Sequence, residues 1–125
     1  HKIHVFKDVY FTPVSIDFLI KSLVKIIDKN ISGIINISSD KKISKYDFAL
    51  KLAKKFKLNH KLIIPSFFSE IKKKNNLVNR PKNMSLNNKK LKSTLNLKHI
   101  DIDNMINSLY LSRKSKTVLS IKKIK

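Results

Sequence analysis

The sequence predicts a layered α/β domain, and three observations carry that expectation. A period-two segment opens the chain at residues 3–7, two long stretches repeat their apolar residues at helical spacing, and short β-branched runs stand between them. The resulting order is strand, helix, strand, helix, strand, loop, strand, helix, helix. With 125 residues and 42% apolar content the chain is long enough for one core, and neither an internal repeat nor a break in composition divides it.

Each element has its own signal. Residues 3–7 alternate apolar and polar as a half-buried strand does, and a turn follows. Thr12-Pro13 offers a helix start, with Thr12 or Ser15 as N-cap. Ile16, Leu19, Ile20, Leu23, Val24 and Ile27 then recur at helical spacing as the core face, Lys21, Lys25 and Lys29 form the solvent stripe, and Asn30 and Gly33 close the segment. Residues 33–39, GIINISS, read as a buried strand. Ser44, followed three residues later by Asp47, is a relative of the capping box and opens a second helix over residues 45–57 with Phe48, Ala49, Leu52, Ala53 and Phe56 inward. Residues 61–65 are strand-like, residues 66–79 a loop or frayed helix, and residues 80–86 extended. Asn87 caps a short helix with Leu91 and Leu95 inward, and a last helix covers residues 102–111. These elements make residues 1–112 one lobe, and residues 113–125 a basic, mobile tail.

Composition excludes several chemistries. Gly33 is the only glycine, whereas the loops that cradle phosphates in nucleotide enzymes need two or three. No cysteine is present, which removes disulfides, thiolate metal sites and thiol nucleophiles and fits the cytoplasm. No run approaches the roughly 20 apolar residues of a membrane span, so no membrane partner is expected. The chain does not begin with Met, which leads us to expect a piece of a longer protein.

The formal charge of +20 points first to a polyanion. The cations are nearly all lysine, spread along the chain together with abundant Ile and Asn, which is the imprint of an AT-rich genome, so a solvated surface without specific nucleic-acid binding is the expectation. Against that background Arg80, followed by Pro81, stands out as one of two arginines. A guanidinium kept where lysine is favoured suits bidentate contact with a phosphate.

Other constellations have plainer explanations. Asp101 and Asp103 suit the N-terminal dipole of a helix, and His1, His4, His60 and His99 lack the spacing of metal ligands. Tyr110 and Lys114 share the Tyr-x-x-x-Lys spacing of a proton-donating pair, but two residues without a glycine-rich segment before them are matched by chance in a lysine-rich chain. No catalytic residue is therefore assigned.

Four stretches, taken in order, resemble a known family. They are Asp8-Val9-Tyr10-Phe11-Thr12-Pro13, Gly33-Ile34-Ile35-Asn36-Ile37-Ser38, Ser44-Lys45-Tyr46-Asp47-Phe48-Ala49, and Arg80-Pro81-Lys82-Asn83-Met84-Ser85-Leu86-Asn87-Asn88-Lys89-Lys90-Leu91. Together they resemble the C-terminal, substrate-binding half of the extended short-chain dehydrogenase/reductases, specifically sugar-nucleotide reductases of the dTDP-4-dehydrorhamnose reductase type. Asn87 stands where that family usually has Asp, and either residue caps a helix.

The resemblance implies an NAD(P)-dependent reduction of a 4-keto sugar nucleotide. NADPH or NADH and the catalytic Tyr-x-x-x-Lys would belong to an upstream Rossmann half, so this chain alone would be inactive. Its partners would be that half and the sugar nucleotide, with a homodimer compatible. Arg80 would lie beside the substrate. Two other classes remain open at this point, a non-catalytic reductase-like regulatory subunit and a basic nucleic-acid-binding module.

Overall fold

The computed structural model describes residues 1–75 and 78–122, without the side chains of residues 74, 75 and 114–122. Strand β1 (Ile3–Phe6) leads to β2 (Tyr10–Phe11) and helix α1 (Ile16–Asp28). Next come β3 (Ile43–Ser44), α2 (Lys45–Lys55), a single 3-10 turn (His60–Leu62) and β4 (Ile63–Ser66). Helix α3 (Phe68–Asn75), β5 (Asn83–Met84), α4 (Lys89–Leu95) and α5 (Ile102–Lys122) complete the order. The mixed α/β class is as the sequence predicts. Strands β1 and β4 form a parallel pair, and β2 sits between β3, antiparallel, and β5, parallel.

Local chemistry sets the helix ends. Ser15 and Ser44 are the N-caps of α1 and α2, their hydroxyls accepting from the Phe18 and Asp47 amides at 3.2 and 3.0 Å. At the other end of α1, Asn30 takes a left-handed φ of 49°, with Asn30 N–H donating to Ile27 O and Ile31 N–H to Ile26 O. Lys57 does the same after α2 at φ 54°, with Lys57 N–H donating to Lys54 O and Leu58 N–H to Ala53 O. Both are Schellman closures made without glycine.

The core has two clusters. Ile43, Ile102 and Ile106 gather Phe11, Phe48 and Leu52, and Leu91, Leu95 and Ile100 gather apolar residues from α1, α5 and residues 31–37. The Asp40 carboxylate ties that second cluster's ends together. It accepts from Asn88 Nδ2 at 2.9 Å, from the Ile100 amide at 3.1 Å and from Lys92 Nζ at 3.1 Å.

Four expectations need correction, and one open alternative is decided. The turn after β1 contains β2, whose short ladders join two other strands. The stripe assigned to the core on α1 faces outward: Ile16, Ile20, Val24 and Ile27 are half or more exposed. The elements of this chain reach the opposite side, where Ser22 is buried and Phe18 and Ile26 pack on the second cluster. Residues 33–39 are extended, and Ile35 and Ile37 do pack inward, but no strand pairs with them among the described residues. For residues 66–79, read as a loop or frayed helix, the structure takes the helical alternative in α3, because Glu70 Oε2 accepts from the Phe67 amide at 3.4 Å and Asp8 Oδ1 from the Phe68 amide at 2.9 Å. That is a capping box whose first half is supplied from 60 residues away. Finally, α5 continues past residue 111 to Lys122, since no glycine or proline interrupts it.

Lys57 carries a Cβ in a left-handed position, which costs about 1–2 kcal/mol. Replacing Lys57 with Gly should therefore stabilise the fold by about 0.5–1 kcal/mol after the extra unfolded-state entropy of glycine is subtracted. A rise in the urea midpoint at unchanged slope would show it.

Candidate functional site

A cleft of about 420 Å³ opens where the two small sheets meet, lined by Phe6, Val9, Lys45, Phe68, Val78, Arg80, Pro81 and Met84. Phe6, at the end of β1, and Phe68, at the start of α3, form an edge-to-face pair with ring centroids 5.4 Å apart. Val9 and Met84 extend this apolar surface, and the charged side chains of Lys45 and Arg80 stand over it.

The chain brings these residues together through residues 8–12. The Lys45 amide donates to Val9 O at 3.0 Å, which fixes the start of α2 beside β2. The Tyr10 amide donates to Lys82 O at 2.7 Å, and Thr12 Oγ1 accepts from the Leu86 amide at 3.1 Å, which lays residues 82–86 along the same edge. Lys72 of α3 donates to Asn79 Oδ1 and so anchors the residue before Arg80.

Asp8 is the electrostatic centre of this arrangement. One carboxylate oxygen caps α3 and the other pairs with Lys82 Nζ at 2.6 Å. Desolvation, the largest single influence, raises the carboxyl pKa, but hydrogen bonds from Lys82 and the Phe68 amide, together with the lysine charge, outweigh it and hold the group below the ordinary carboxylate range.

Arg80, singled out from the sequence, thus lies on the cleft, exposed and without a hydrogen-bond or ion-pair partner among the described residues. Lys45 was not singled out, although one signal exists. It occupies the first position of α2, where a cation opposes the helix dipole and local stability gives no reason to keep it. Phe6, Phe68 and Met84 have only the pattern of core residues, and nothing in the sequence marks them as cleft lining.

The other sequence candidates settle into structural roles. Asp103 pairs with Lys51 at 2.6 Å, and Asp101 Oδ2 accepts from the Asn104 amide at 3.4 Å. His4 Nδ1 lies 2.8 Å from Ser66 Oγ across the β1–β4 pair. Tyr110 packs edge-to-face on Phe56 with Lys55 over its ring, while the Lys114 side chain lies outside the described residues.

The cleft combines an aromatic floor with a guanidinium and an ammonium, a lining suited to an anionic ligand with an apolar part. Gly33 has a φ of 83°, and a Cβ there would meet only the flexible tip of Lys90 at 3.5 Å, so it serves a surface turn and forms no phosphate cradle.

A mixed α/β lobe whose cleft sets two cations beside an apolar lining is suited to an anionic ligand. Residues 1–112 match the family model of the RmlD substrate binding domain, and the chain belongs to that family. Among solved structures it is similar to the dTDP-4-dehydrorhamnose reductase of Bacillus anthracis, determined in complex with NADP, at TM-score 0.76 and 18% identity over 90% of this chain and 38% of that one. It is also similar to a dTDP-4-dehydrorhamnose reductase of Clostridium acetobutylicum, at TM-score 0.67 and 22% identity over 86% of this chain and 39% of that one. The third is the Yersinia enterocolitica enzyme, at TM-score 0.63 and 16% identity over 85% and 37%. At these identities the likeness is one of fold, and the chain spans well under half the length of each. No curated protein sequence matches it. Among the described residues, no helix is long and apolar enough to cross a membrane.

The lowered carboxyls have a pH consequence. Asp8 and Asp40 are both depressed in the folded state, so the unfolded chain takes up protons first as pH falls, and the stability they contribute is present above the ordinary carboxylate range and lost below about pH 4. Denaturant midpoints measured from pH 6 to 2 should fall steeply for the native chain, and less steeply for Asp8→Asn and Asp40→Asn.

Proposed function

We propose that this chain is the substrate-binding lobe of an NAD(P)-dependent sugar-nucleotide reductase that reduces a 4-keto dTDP-sugar in the cytoplasm. The observation that carries the reading is the cleft lined by Arg80 and Lys45, whose side chains have no polar partner among the described residues, together with the Phe6–Phe68 pair, in a chain of the RmlD substrate binding domain family. Arg80 grips a phosphate through two parallel N–H groups, Lys45 adds a point charge, and the apolar floor receives the uncharged part of the ligand. In this reading the nicotinamide cofactor and the proton-donating residues belong to another part of the enzyme. The glycine-poor composition and the cleft's lack of acid–base groups support that division.

Arg80→Ala should weaken dTDP binding, measured by calorimetry, by about tenfold or more, the equivalent of roughly 1.5–3 kcal/mol for a lost charge-assisted contact. An unchanged Kd removes Arg80 from the site. The 125-residue chain alone should show no dTDP-sugar-dependent NADPH oxidation, and clear turnover would refute the division of labour.

A further inference from the structure

The second half of α2 carries a concentration of charge that the cleft does not use. A groove of about 550 Å³ lies between α2 and α5, lined by Lys51, Lys54, Lys55 and Lys57 on one side and by Asp103, Asn107 and Tyr110 on the other. Asp103 is the one acid in this lining and is paired with Lys51 at 2.6 Å. The ammonium groups of Lys54 and Lys57, the Asn107 side-chain amide and the Tyr110 hydroxyl have no hydrogen-bond or ion-pair partner among the described residues. Lys55 Nζ stands 5.2 Å from the centroid of the Tyr110 ring. Lys54 is about 14 Å further along the α2 axis than Lys45, so the groove is separate from the cleft.

Local stability does not account for the cluster. Lys51 repels Lys54 and Lys55, three and four residues on, along one face of the helix. The helix dipole offsets this for Lys54 and Lys55, which stand in the last turn, but not for Lys57, which lies beyond the helix at φ 54°. The other described non-glycine residues with a left-handed φ are Asn30 and Asn96, and asparagine tolerates that region better than lysine does. A lysine retained where the same chain elsewhere uses asparagine keeps a cation on the groove at a conformational cost.

The lining also selects the kind of anion. Phe56 and Tyr110 pack edge to face, with Lys55 over the Tyr110 ring and the Arg113 guanidinium 5.8 Å from the Phe56 centroid. A nucleobase stacking there competes with those cations, so a single-stranded nucleic acid gains little from the aromatic pair. With Lys51 answered by Asp103, the charges of Lys54, Lys55 and Lys57 remain, with a neutral amide and a hydroxyl opposite. A short run of linked phosphates meets both, because its oxygens accept from all of these groups. We propose that the α2–α5 groove is a second anion site, distinct from the Arg80 cleft, that binds a linear polyphosphate, either free or as the phosphate tail of a nucleoside polyphosphate.

The test titrates sodium tripolyphosphate, by calorimetry, into the complete gene product that carries residues 1–125, at about 0.15 M salt, where exposed charges more than about 8 Å apart are screened. Lys54→Gln with Lys57→Gln should weaken tripolyphosphate binding about tenfold or more, through the loss of two charge-assisted contacts, and leave dTDP binding unchanged. Lys21→Gln with Lys25→Gln removes the same charge from α1 and should alter neither. Equal losses in the two double variants would overturn the proposal, since they mark diffuse attraction to a basic protein. So would the absence of binding to the native chain, loss of tripolyphosphate binding in Arg80→Ala, which puts the anion in the cleft, or tighter binding of an oligoadenylate, which marks a nucleic-acid surface. ATP separates the two sources: a lower Kd than that of tripolyphosphate assigns the nucleoside form, and an equal or higher one the free chain. Lys57→Gly supplies a readout that a structural role would not move, a higher urea midpoint together with at least threefold weaker tripolyphosphate binding. A stabilised Lys57→Gly chain with native affinity overturns the assignment. Because different variants probe the groove and the cleft, failure of either reading leaves the other standing.

Discussion

The cleft depends on residues 8–11, a segment tied by polar contacts to three distant parts of the chain. Asp8 caps α3 and neutralises Lys82, Val9 receives the start of α2, and Tyr10 binds residue 82 through its amide. A strand of two residues has little stability of its own. Its position is held because ladders on both sides and a partly buried carboxylate act together, so that Lys45 from one direction and Arg80 from the other arrive over the same apolar floor.

Local signals explain what the sequence revealed. Ser15 stands directly before an apolar period, Ser44 three residues before Asp47 and four before Phe48, and each serine is the N-cap of the helix that follows. Leu91 and Leu95 read as inward and are buried at 0% and 6% exposure. Arg80 stood out against a lysine background, and the fold brings it to the cleft. What stayed hidden depends on partners far away in the chain. The α3 cap comes from Asp8, β2 exists only through its pairings with β3 and β5, and Lys45 acquires meaning from segments near residues 8 and 80.

The misreadings at α1 and at residues 33–39 share one cause. Periodicity reports which face of an element avoids water, and it does not report which body covers that face. The stripe on α1 and the β-branched run at Ile34-Ile35 carry real signals, but this chain answers only the reverse side of each, through Phe18, Ile26, Ile35 and Ile37. On α1 the periodic stripe and the covered side are different faces, so a correct pattern points to the wrong core.

The Asp8–Lys82 pair also bears on selectivity by charge. Lys82 follows Pro81 of the cleft lining, and without Asp8 it would place a third unopposed cation beside Arg80 and Lys45. With its charge cancelled at 2.6 Å, the rim presents two. On the proposed reading of the cleft, a dianion entering there would be matched in number, a monoanion would leave one cation unanswered, and a longer polyphosphate would bring charge for which the rim has no counterpart. A single carboxylate would then tune which anions a strongly basic protein accepts at this one place.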